Sequence, residues 1–518
     1  MAVHLTCFGG AGMIGGNKLL LESGDRALWL DFGTDFRRRS QYYSDLLSPR
    51  SSAGLRDPLA LRLIPDLGGI YRSDLQPADG ARASDGSVSE RTRTFDPVNP
   101  PPVLLSHAHL DHCGAVSFLS AETPIYASAA TAALLKACQD TAAADFEGET
   151  AYLVPREQRE GLFAATNYRT TPAVARRLAV PDLNASLAAF WLQPAASRGL
   201  AGPPPVDWQP GSPIGGLRVR LYPVDHSVPG AVAWAVETDG GWVVYTGDFR
   251  RHGARGGETQ RFLAEAAKLK PLAVICEGTH PAAEWPSTEA AVYENACHAV
   301  SLTDGLVIAD FGPRNVERLA TFRRVASDNG RRLVVTTRDA HILEALSLAG
   351  VVPDPHRSDD LLVYNEPRLT RPLWERAVLE RYGDRVVTAR QLQADAGDYI
   401  VCFSYHDLPE LIDVAPSRGT YIHSASESWN EEDRLDLERL RAWLRHFNLR
   451  FAGDPASPDG RGFHASGHID GPGLLDLIET VAPTWVIPVH TIDLRFFRAH
   501  VDRRRLLLPA PGRRYQLA

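Results

Sequence analysis

Four side chains that can bind a metal ion are crowded into residues 107–112, at the first, third, fifth and sixth positions of the run His-Ala-His-Leu-Asp-His. The preceding residues, 101–106, form a short apolar run, which predicts a buried strand. A helix is expected to begin near Cys113, so the cluster should lie on a strand-to-helix loop, where side chains converge. Neutral imidazoles and a carboxylate suit zinc or a similar divalent ion. A histidine-rich surface loop is the alternative, but the density of ligands directly after an apolar strand argues against it.

Composition narrows the class of protein. A chain of 518 residues is long enough for about three domain-sized units. The net charge of −8 provides no general attraction to nucleic acid or anionic membrane, so a site for a polyanion would have to be a local basic patch. Six scattered cysteines without a Cys-x-x-Cys pair favour reduced thiols in a cytoplasmic protein. We also expect no secretory signal and no membrane span, because no apolar run approaches the roughly 18 residues that a span needs.

Potential ligands recur where later strands are predicted to end. Residues 216–222 precede His226, residues 241–245 precede Asp248, residues 272–276 precede Glu277, and residues 485–489 precede His490. Residues 26–30 precede Asp31, which is either a plain turn residue or a carboxylate that orients a ligand histidine. Because each group follows an apolar strand, we expect these side chains to assemble around the 107–112 loop.

A centre with two metal ions accounts for this recurrence. One ion would be held by His107, His109 and His226, the other by Asp111, His112 and His490, with Asp248 bridging them. Three of these residues also have a structural explanation, because Asp248 could be a helix N-cap and both His226 and His490 could be core histidines. The joint pattern favours the metal centre, with zinc preferred to manganese.

The rest of the chain divides into regions of different character. Residues 36–100 are irregular, and 76–100 are rich in Gly, Ser, Asp and Pro, which predicts a loop or partial disorder. Residues 128–200 are rich in Ala and are expected to be helical. From about 284 to 460, predicted helices and strands alternate, which indicates a compact α/β unit with a mostly parallel sheet.

Taken in order, these motifs resemble those of the metallo-β-lactamase fold, and the later ones are similar to the additional motifs of its β-CASP nuclease branch. Residues 8–17, 30–33, 106–114, 225–227 and 246–250 carry the resemblance to the fold. Glu277, His468 and His490 carry the resemblance to the branch. Within the branch, residues 463–468 and 486–490 look most like ribonuclease J, although Gly278-Thr279-His280 stands where that family often has Ser-Thr.

The resemblance implies an α/β protein, in which an αββα metallo-β-lactamase sandwich contains an inserted α/β β-CASP domain. The sandwich would comprise residues 1–283, with insertions near 36–100 and 128–215, and residues 461–518, while the β-CASP domain would comprise 284–460. A single-stranded RNA or DNA substrate would run in the cleft between the two units. The scattered cysteines and the lack of a long apolar run favour a cytoplasmic location and no membrane partner, and the resemblance leaves homo-oligomerisation open.

The implied reaction is hydrolysis of a phosphodiester bond by a hydroxide that two metal ions activate, leaving a 5′-phosphate, with RNA preferred to DNA. Asp111 and Asp248 would orient the nucleophile. His468 would donate a proton to the leaving 3′ oxygen, and Glu277 would hold either that histidine or His490 in place. The residues implied for binding a substrate phosphate are His464, Ser466 and Gly467.

Two other functions fit parts of the pattern. A hydrolase of the same fold that acts on a small ester, lactone, thioester or phosphodiester would use the same metal centre, but would not need the inserted unit or the pair His468 and His490. A non-catalytic binding protein is disfavoured by the complete ligand set. The negative net charge opposes a nucleic-acid role unless arginines line the cleft. The candidates are Arg37, Arg38, Arg39, Arg250, Arg251, Arg314, Arg318 and Arg323.

Overall fold

The computed structural model describes residues 1–44, 47–76, 93–282, 287–425, 431–457 and 460–518. The strands are β1 (Val3–Gly9), β2 (Lys18–Ser23), β3 (Arg26–Phe32), β4 (Val103–Leu104), β5 (Ile125–Tyr126), β6 (Tyr152–Leu153), β7 (Arg156–Arg159), β8 (Leu162–Ala165), β9 (Ala173–Ala175), β10 (Leu178–Val180), β11 (Leu200–Ala201), β12 (Val206–Asp207), β13 (Pro213–Ile214), β14 (Leu217–Pro223), β15 (Val232–Thr238), β16 (Gly241–Tyr245), β17 (Ala273–Cys276), β18 (Leu306–Asp310), β19 (Arg332–Val335), β20 (Leu361–Tyr364), β21 (Val386–Val387), β22 (Tyr399–Val401), β23 (Gly419–His423), β24 (Leu449–Ala452), β25 (Trp485–Pro488) and β26 (Arg514–Gln516). The α-helices are α1 (Phe36–Arg39), α2 (Arg56–Ala60), α3 (Leu110–Cys113), α4 (Ala129–Thr141), α5 (Ala185–Trp191), α6 (Gly256–Leu269), α7 (Glu289–Ser301), α8 (Val316–Asp328), α9 (Thr337–Leu348), α10 (Leu373–Tyr382), α11 (Ala389–Ala394), α12 (Leu411–Val414), α13 (Glu431–His446), α14 (Gly471–Val481) and α15 (Leu494–His500). None of these helices is long and apolar enough to cross a membrane.

Two mixed sheets pack face to face. One has the strand order β12-β10-β5-β4-β3-β2-β1-β26, and the other β13-β14-β15-β16-β17-β25. Alternation along the strands divides the apolar side chains between two cores, since successive residues of a strand point to opposite faces. Leu19 and Leu30 meet Val236 and Ile275 between the sheets, whereas Trp29 points to the opposite face of its sheet.

Helices cover the outer face of each sheet. On the first sheet, Trp29 packs in the same apolar cluster as Leu134 of α4. On the second, Val274 of β17 packs with Phe262 of α6 and Leu477 of α14. The layers are therefore helix, sheet, sheet, helix, and the expected αββα architecture is confirmed.

A third sheet is parallel throughout, with the order β21-β20-β19-β22-β18-β23-β24. Both of its faces are buried under helices, as parallel sheets require. Val307 packs with Phe322 of α8, and its neighbour Ile308 packs with Leu440 of α13. These strands lie inside the range expected for the inserted unit, whose boundaries at 284 and 460 stay a prediction.

The chain returns to the first two sheets after this insertion. Strand β25 pairs in parallel with β17, and β26 pairs with β1. The inserted sheet is also held from outside, because Ile342 and Leu346 of α9 pack in the apolar cluster of α4. The two parts of the molecule therefore share a packed interface between α4 and α9.

Of two local expectations, the helix at 128–200 needs correction, and the loop at 76–100 lies largely outside the described residues. The helical expectation for 128–200 is wrong between α4 and α5, where the chain forms the short strands β6 to β10. Pairing of β10 with β5 overrides the helix preference of alanine there, because propensity is weak beside tertiary contacts. The expected loop at 76–100 falls largely on residues 77–92, which are outside the described residues.

Candidate metal centre

The candidate ligands assemble because their strands end at one edge. Strands β16, β17 and β25 run in parallel, so the residues that follow them, Asp248, Glu277 and His490, emerge together. Strand β14 points the same way, because two antiparallel pairings separate it from β16, and it delivers His226. The loop after β4 and helix α3 approach this edge from the facing sheet.

Three imidazole nitrogens converge in the first group. The Nδ1 of His109 lies 3.0 Å from the Nε2 of His107 and 3.1 Å from the Nε2 of His226. The Nδ1 of His226 donates to the backbone oxygen of Gly467 at 2.5 Å, which leaves its Nε2 lone pair facing the other two rings. Lone pairs at such separations repel one another unless a cation lies among them. The group fits a metal ion.

A second group combines carboxylates with two imidazoles. The Nε2 of His490 lies 3.0 Å from Oδ2 of Asp111 and 3.6 Å from Oδ2 of Asp248. The Nε2 of His112 lies 3.1 Å from the same Asp248 oxygen, which is also 3.8 Å from the Nε2 of His107. Asp248 therefore touches both groups.

Two buried atoms in this centre make no hydrogen bond among the described residues, namely Oδ1 of Asp248 and Nε2 of His112, whose 3.1 Å contact with Oδ2 of Asp248 lacks hydrogen-bond geometry. Buried polar atoms nearly always have a hydrogen-bond partner, so two buried atoms without one indicate that a binding partner is missing. A divalent cation accepts both a carboxylate oxygen and a neutral imidazole nitrogen. The donor set and these orphan atoms together fit bound metal ions.

Asp31 orients the second group from behind. Its Oδ2 accepts from Nδ1 of His112 at 2.7 Å, which turns the Nε2 of that ring toward Asp248. The same carboxylate accepts from the backbone and hydroxyl of Ser106, at 2.6 and 2.7 Å, and from the hydroxyl of Tyr245 at 2.6 Å. The sequence indicated Asp31 as a candidate that orients a ligand. It did not indicate Tyr245, because this residue only continues the apolar periodicity at the end of β16.

Glu277 and Thr279 form a relay to two histidines. Oε2 of Glu277 accepts from Nδ1 of His468 at 2.8 Å and from the hydroxyl of Thr279 at 2.8 Å. That hydroxyl lies 2.8 Å from Nδ1 of His490, so His490 donates to it and keeps Nε2 free for the centre. The sequence pattern assigns no role to Thr279, although its position two residues after a strand-end acid is a usable signal.

The electrostatics of the two groups differ. Burial holds the pKa of His107 and His226 well below the usual range and lowers that of His109 to about 4, so all three rings are neutral. Burial opposes charge on His112 as well, but Asp248 and its neighbouring carboxylates outweigh it and raise the pKa of that imidazole. The carboxylate-rich group therefore attracts positive charge, which a proton or a metal ion can supply.

His468 lies at the edge of the centre, next to Glu277 and Asp248. Burial opposes its charged form, but the adjacent Glu277 dominates and raises the pKa of His468 to about 9. Its Nδ1 also lies 3.8 Å from Oδ2 of Asp248, so the ring stands beside the carboxylate that touches both groups.

Side chains that follow strands β14 and β16 hold the loop that carries His468. The backbone oxygen of Ser466 accepts from Arg250 at 3.0 Å, and Gly467 accepts from His226 through its carbonyl rather than offering its N–H. The hydroxyl of Ser466 accepts from the backbone N–H of His468 at 3.1 Å. His464 lies farther along, where its Nδ1 contacts the backbone oxygen of Ser424 at 3.4 Å.

Most of the arginines expected in the cleft are engaged elsewhere. Arg250 and Arg318 are completely buried, and they pair with Glu317 and Glu289. The other carboxylate pairs are Arg39 with Glu147, Arg251 with Asp476 and Arg323 with Asp360. These five arginines hold the structure together and present little free charge to a polyanion.

Comparisons with known proteins agree with this architecture. Residues 78–260 match the model of the metallo-beta-lactamase superfamily. The chain is 24% identical over 295 residues to a protein named ribonuclease J 2 from Streptococcus pyogenes, covering 54% of this chain and 48% of that protein. It is also 24% identical over 283 residues to ribonuclease J from Mycoplasma pneumoniae, covering 53% and 46% respectively. The chain thus spans about half the length of the curated relatives it matches.

One solved structure shares the fold over its full length. A crystal structure of a protein of unknown function from Enterococcus faecalis superposes with a TM-score of 0.66 at 20% identity, covering 100% of both chains. At that identity the likeness concerns the fold alone. The expected resemblance to a metallo-β-lactamase-fold hydrolase of the ribonuclease J type is confirmed by the domain match and the two relatives.

Proposed function

We propose that this metallo-β-lactamase-fold protein is a nuclease that hydrolyses phosphodiester bonds, preferring single-stranded RNA to DNA and leaving a 5′-phosphate. The observation that carries the proposal is the contact of His468 with Glu277, which holds this imidazole beside Asp248 at the edge of the metal centre. Hydrolysis of a small activated ester needs no such donor, whereas a poor leaving group such as the 3′ oxygen of a nucleotide does.

Two divalent ions would occupy the centre, zinc in preference to manganese. His107, His109 and His226 would hold one, Asp111, His112 and His490 would hold the other, and Asp248 would bridge them. When bound, such ions supply Lewis acidity and neutralise the charge that develops on the phosphate. Asp31, which contacts His112 but not the other ligands, would set the orientation of that ring.

The protein groups around the centre have separate tasks in this proposal. Asp111 and Asp248 would orient the attacking water through their carboxylate oxygens. His468 would donate its proton from Nε2 to the departing 3′ oxygen, because its Nδ1 is already bonded to Glu277. Glu277 would keep that ring protonated and correctly turned. His464, Ser466 and Gly467 would bind or shape the site for a neighbouring phosphate, since they share the loop of His468.

The cellular compartment and the domain boundaries are also part of the proposal. All six cysteines are free, which favours a reducing compartment such as the cytoplasm. The boundaries of the sandwich at 1–283 and 461–518 and of the inserted unit at 284–460 are proposed as the limits of the two parts that form the cleft. Whether the protein forms a homo-oligomer is left to measurement of its mass in solution.

The alternative is a hydrolase of a small ester, lactone, thioester or phosphodiester that uses the same centre. End-labelled single-stranded RNA and DNA, each with a 5′-phosphate or a 5′-hydroxyl, should be digested with zinc- or manganese-loaded protein. Release of 5′-phosphate products from RNA, faster than from DNA, is expected. No cleavage of any oligonucleotide, together with turnover of a generic ester, would establish the alternative. The pattern of labelled products separates cleavage from an end from internal cleavage.

A further inference from the structure

The segment that follows His490 is basic, although the chain as a whole is acidic. Residues 492–505 contain five arginines and two aspartates, a net charge of +3, whereas the whole chain has a net charge of −8. Helix α15 forms the first part of this segment, and its exposed side includes Arg495 and Arg498. These residues are three positions apart, so their side chains lie on one face of the helix. An acidic protein can hold a polyanion on a local basic face of this kind.

The buried side of α15 packs against the two loops that carry Glu277 and His468. Phe497 is buried in the same apolar cluster as Ile469, the residue after His468. It also packs on Gly278, the residue after Glu277, where an added Cβ would lie 2.7 Å from its ring. The helix that carries the two arginines is therefore fixed directly beside this pair.

Aromatic rings connect His468 with the helix. The ring of His280 is exposed, and its centroid lies 5.8 Å from that of the His468 ring. The backbone of His280 bridges to Asp470. The partly exposed ring of Phe496 packs on the next residue, Gly471, where an added Cβ would lie 3.0 Å from it. Rings on which bases can stack, beside arginines that can contact phosphates, are typical of surfaces that bind single-stranded nucleic acid.

We infer that this exposed surface binds single-stranded nucleic acid where the strand passes outward from the bond to be cleaved, an inference that rests on the proposed nuclease function. The surface comprises His280, Arg495, Phe496 and Arg498. Within the described residues, Arg498 makes no ion pair, and Arg495, whose side chain is 91% exposed, lies 3.5 Å from Asp493. An exposed pair of this kind contributes little, so a phosphate can take the place of the carboxylate.

The test is the double variant Arg495→Gln with Arg498→Gln, assayed by steady-state cleavage of single-stranded RNA over a series of salt concentrations. On an RNA of about twelve nucleotides, which is within the usual size of single-strand sites, KM should rise about tenfold. We expect little change in kcat, because contacts away from the reacting bond stabilise the ground state and the transition state equally. The slope of log KM against log salt should fall by about 1.4, since each lost phosphate contact accounts for about 0.7. A dinucleotide has no further phosphate to offer this surface, so the variant should cleave it as the wild type does.

Arg418→Gln with Arg445→Gln is the matched control. It also removes two exposed arginines, which lie where β23 begins and where α13 ends. Ser424, which His464 contacts, follows the other end of β23, so the control pair lies away from the loop of His468. This variant should change neither KM nor the salt slope.

The outcomes separate the surface from the function beneath it. A wild-type protein that cleaves no oligonucleotide with either metal refutes the nuclease proposal itself. Active wild-type protein with a double variant of unchanged KM and salt slope overturns the surface alone, and so does an equal rise in KM for the dinucleotide. Weaker sedimentation of the variant with phosphatidylserine vesicles, at unchanged KM for RNA, would assign the surface to an anionic lipid and also overturn the inference. If the double variant loses metal or melts early, the two single variants decide: a slope lower by about 0.7 in each supports the surface, and wild-type slopes overturn it.

Discussion

The Nδ1 of His468 lies 2.8 Å from Oε2 of Glu277, although 191 residues separate them in the chain. The contact leaves Nε2 of the imidazole as the only ring nitrogen that can serve a substrate. Since this pair distinguishes the centre from a bare metal site, its removal provides the sharpest test of the reaction type.

His468→Ala should keep its metal content and lose turnover by about a hundred- to ten-thousandfold, the usual contribution of a general acid. Metal analysis and cleavage of labelled RNA measure the two properties on one preparation. His406→Ala removes an exposed imidazole of the inserted unit and should match the wild type. A His468→Ala enzyme with full activity would exclude the histidine from the mechanism.

Asp31→Asn should weaken metal binding by about ten- to a hundredfold, because the ring of His112 loses the carboxylate that orients it. Tyr245→Phe removes only one of the donors to Asp31 and should cost about 1 kcal/mol of folding free energy. Titration with a competing chelator gives the affinities, and urea unfolding gives the stability difference. Equal metal affinities for Asp31→Asn and wild type would show that the carboxylate is structural only.

Gly33→Ala should disrupt the second metal group selectively. A Cβ at Gly33 would lie 1.7 Å from the backbone oxygen of Asp111, so helix α3 would have to move away from β3. We expect loss of about one metal ion per chain, with the far-ultraviolet circular dichroism retained. Gly148→Ala is the control, because a Cβ there meets nothing within 4 Å. A fully loaded Gly33→Ala protein would contradict the close packing of these two segments.

Arg250→Met should destabilise the protein by about 3–5 kcal/mol, because it leaves the buried Asp225 without its partner and removes the pair with Glu317. It should also lower kcat, since Arg250 holds the backbone oxygen of Ser466 beside the loop of His468. Arg251→Met, which breaks a partly exposed pair with Asp476, is the adjacent control and should cost less than about 1 kcal/mol. Thermal unfolding with metal bound, followed by kinetics, distinguishes the two variants.

Chelation should lower the melting temperature, and added zinc should restore it. Nine buried or half-buried ligand and supporting groups meet here, and a bound ion at a hundred times its Kd stabilises the folded state by about 2.7 kcal/mol. The ligand variant Asp248→Asn should show a smaller shift on chelation than the wild type. A melting temperature that is indifferent to chelator in the wild type would argue against a metal centre altogether.

Much of the site could be predicted because its signals are local. The run 107–112 places four candidate ligands within six residues. Apolar periodicity locates the strands that precede His226, Asp248, Glu277 and His490. Parallel strands must bring such ends to one edge. The assembly of these side chains therefore follows from residue pattern, whereas the αββα fold was expected from the family resemblance.

The tertiary structure alone decided how each group is used. The hydroxyl of Tyr245 reaches Asp31 across 214 positions, and Thr279 reaches His490 across 211, so no local pattern announces either contact. The difference between Arg250, buried in ion pairs, and Arg495, exposed on a helix beside the centre, is likewise invisible in a sequence that shows only arginines. Ring tautomers, charge states and the freedom of a cation depend on which groups from distant segments meet. These contacts are set by the packing of the two sheets and the inserted unit. Residue periodicity constrains that packing only in outline.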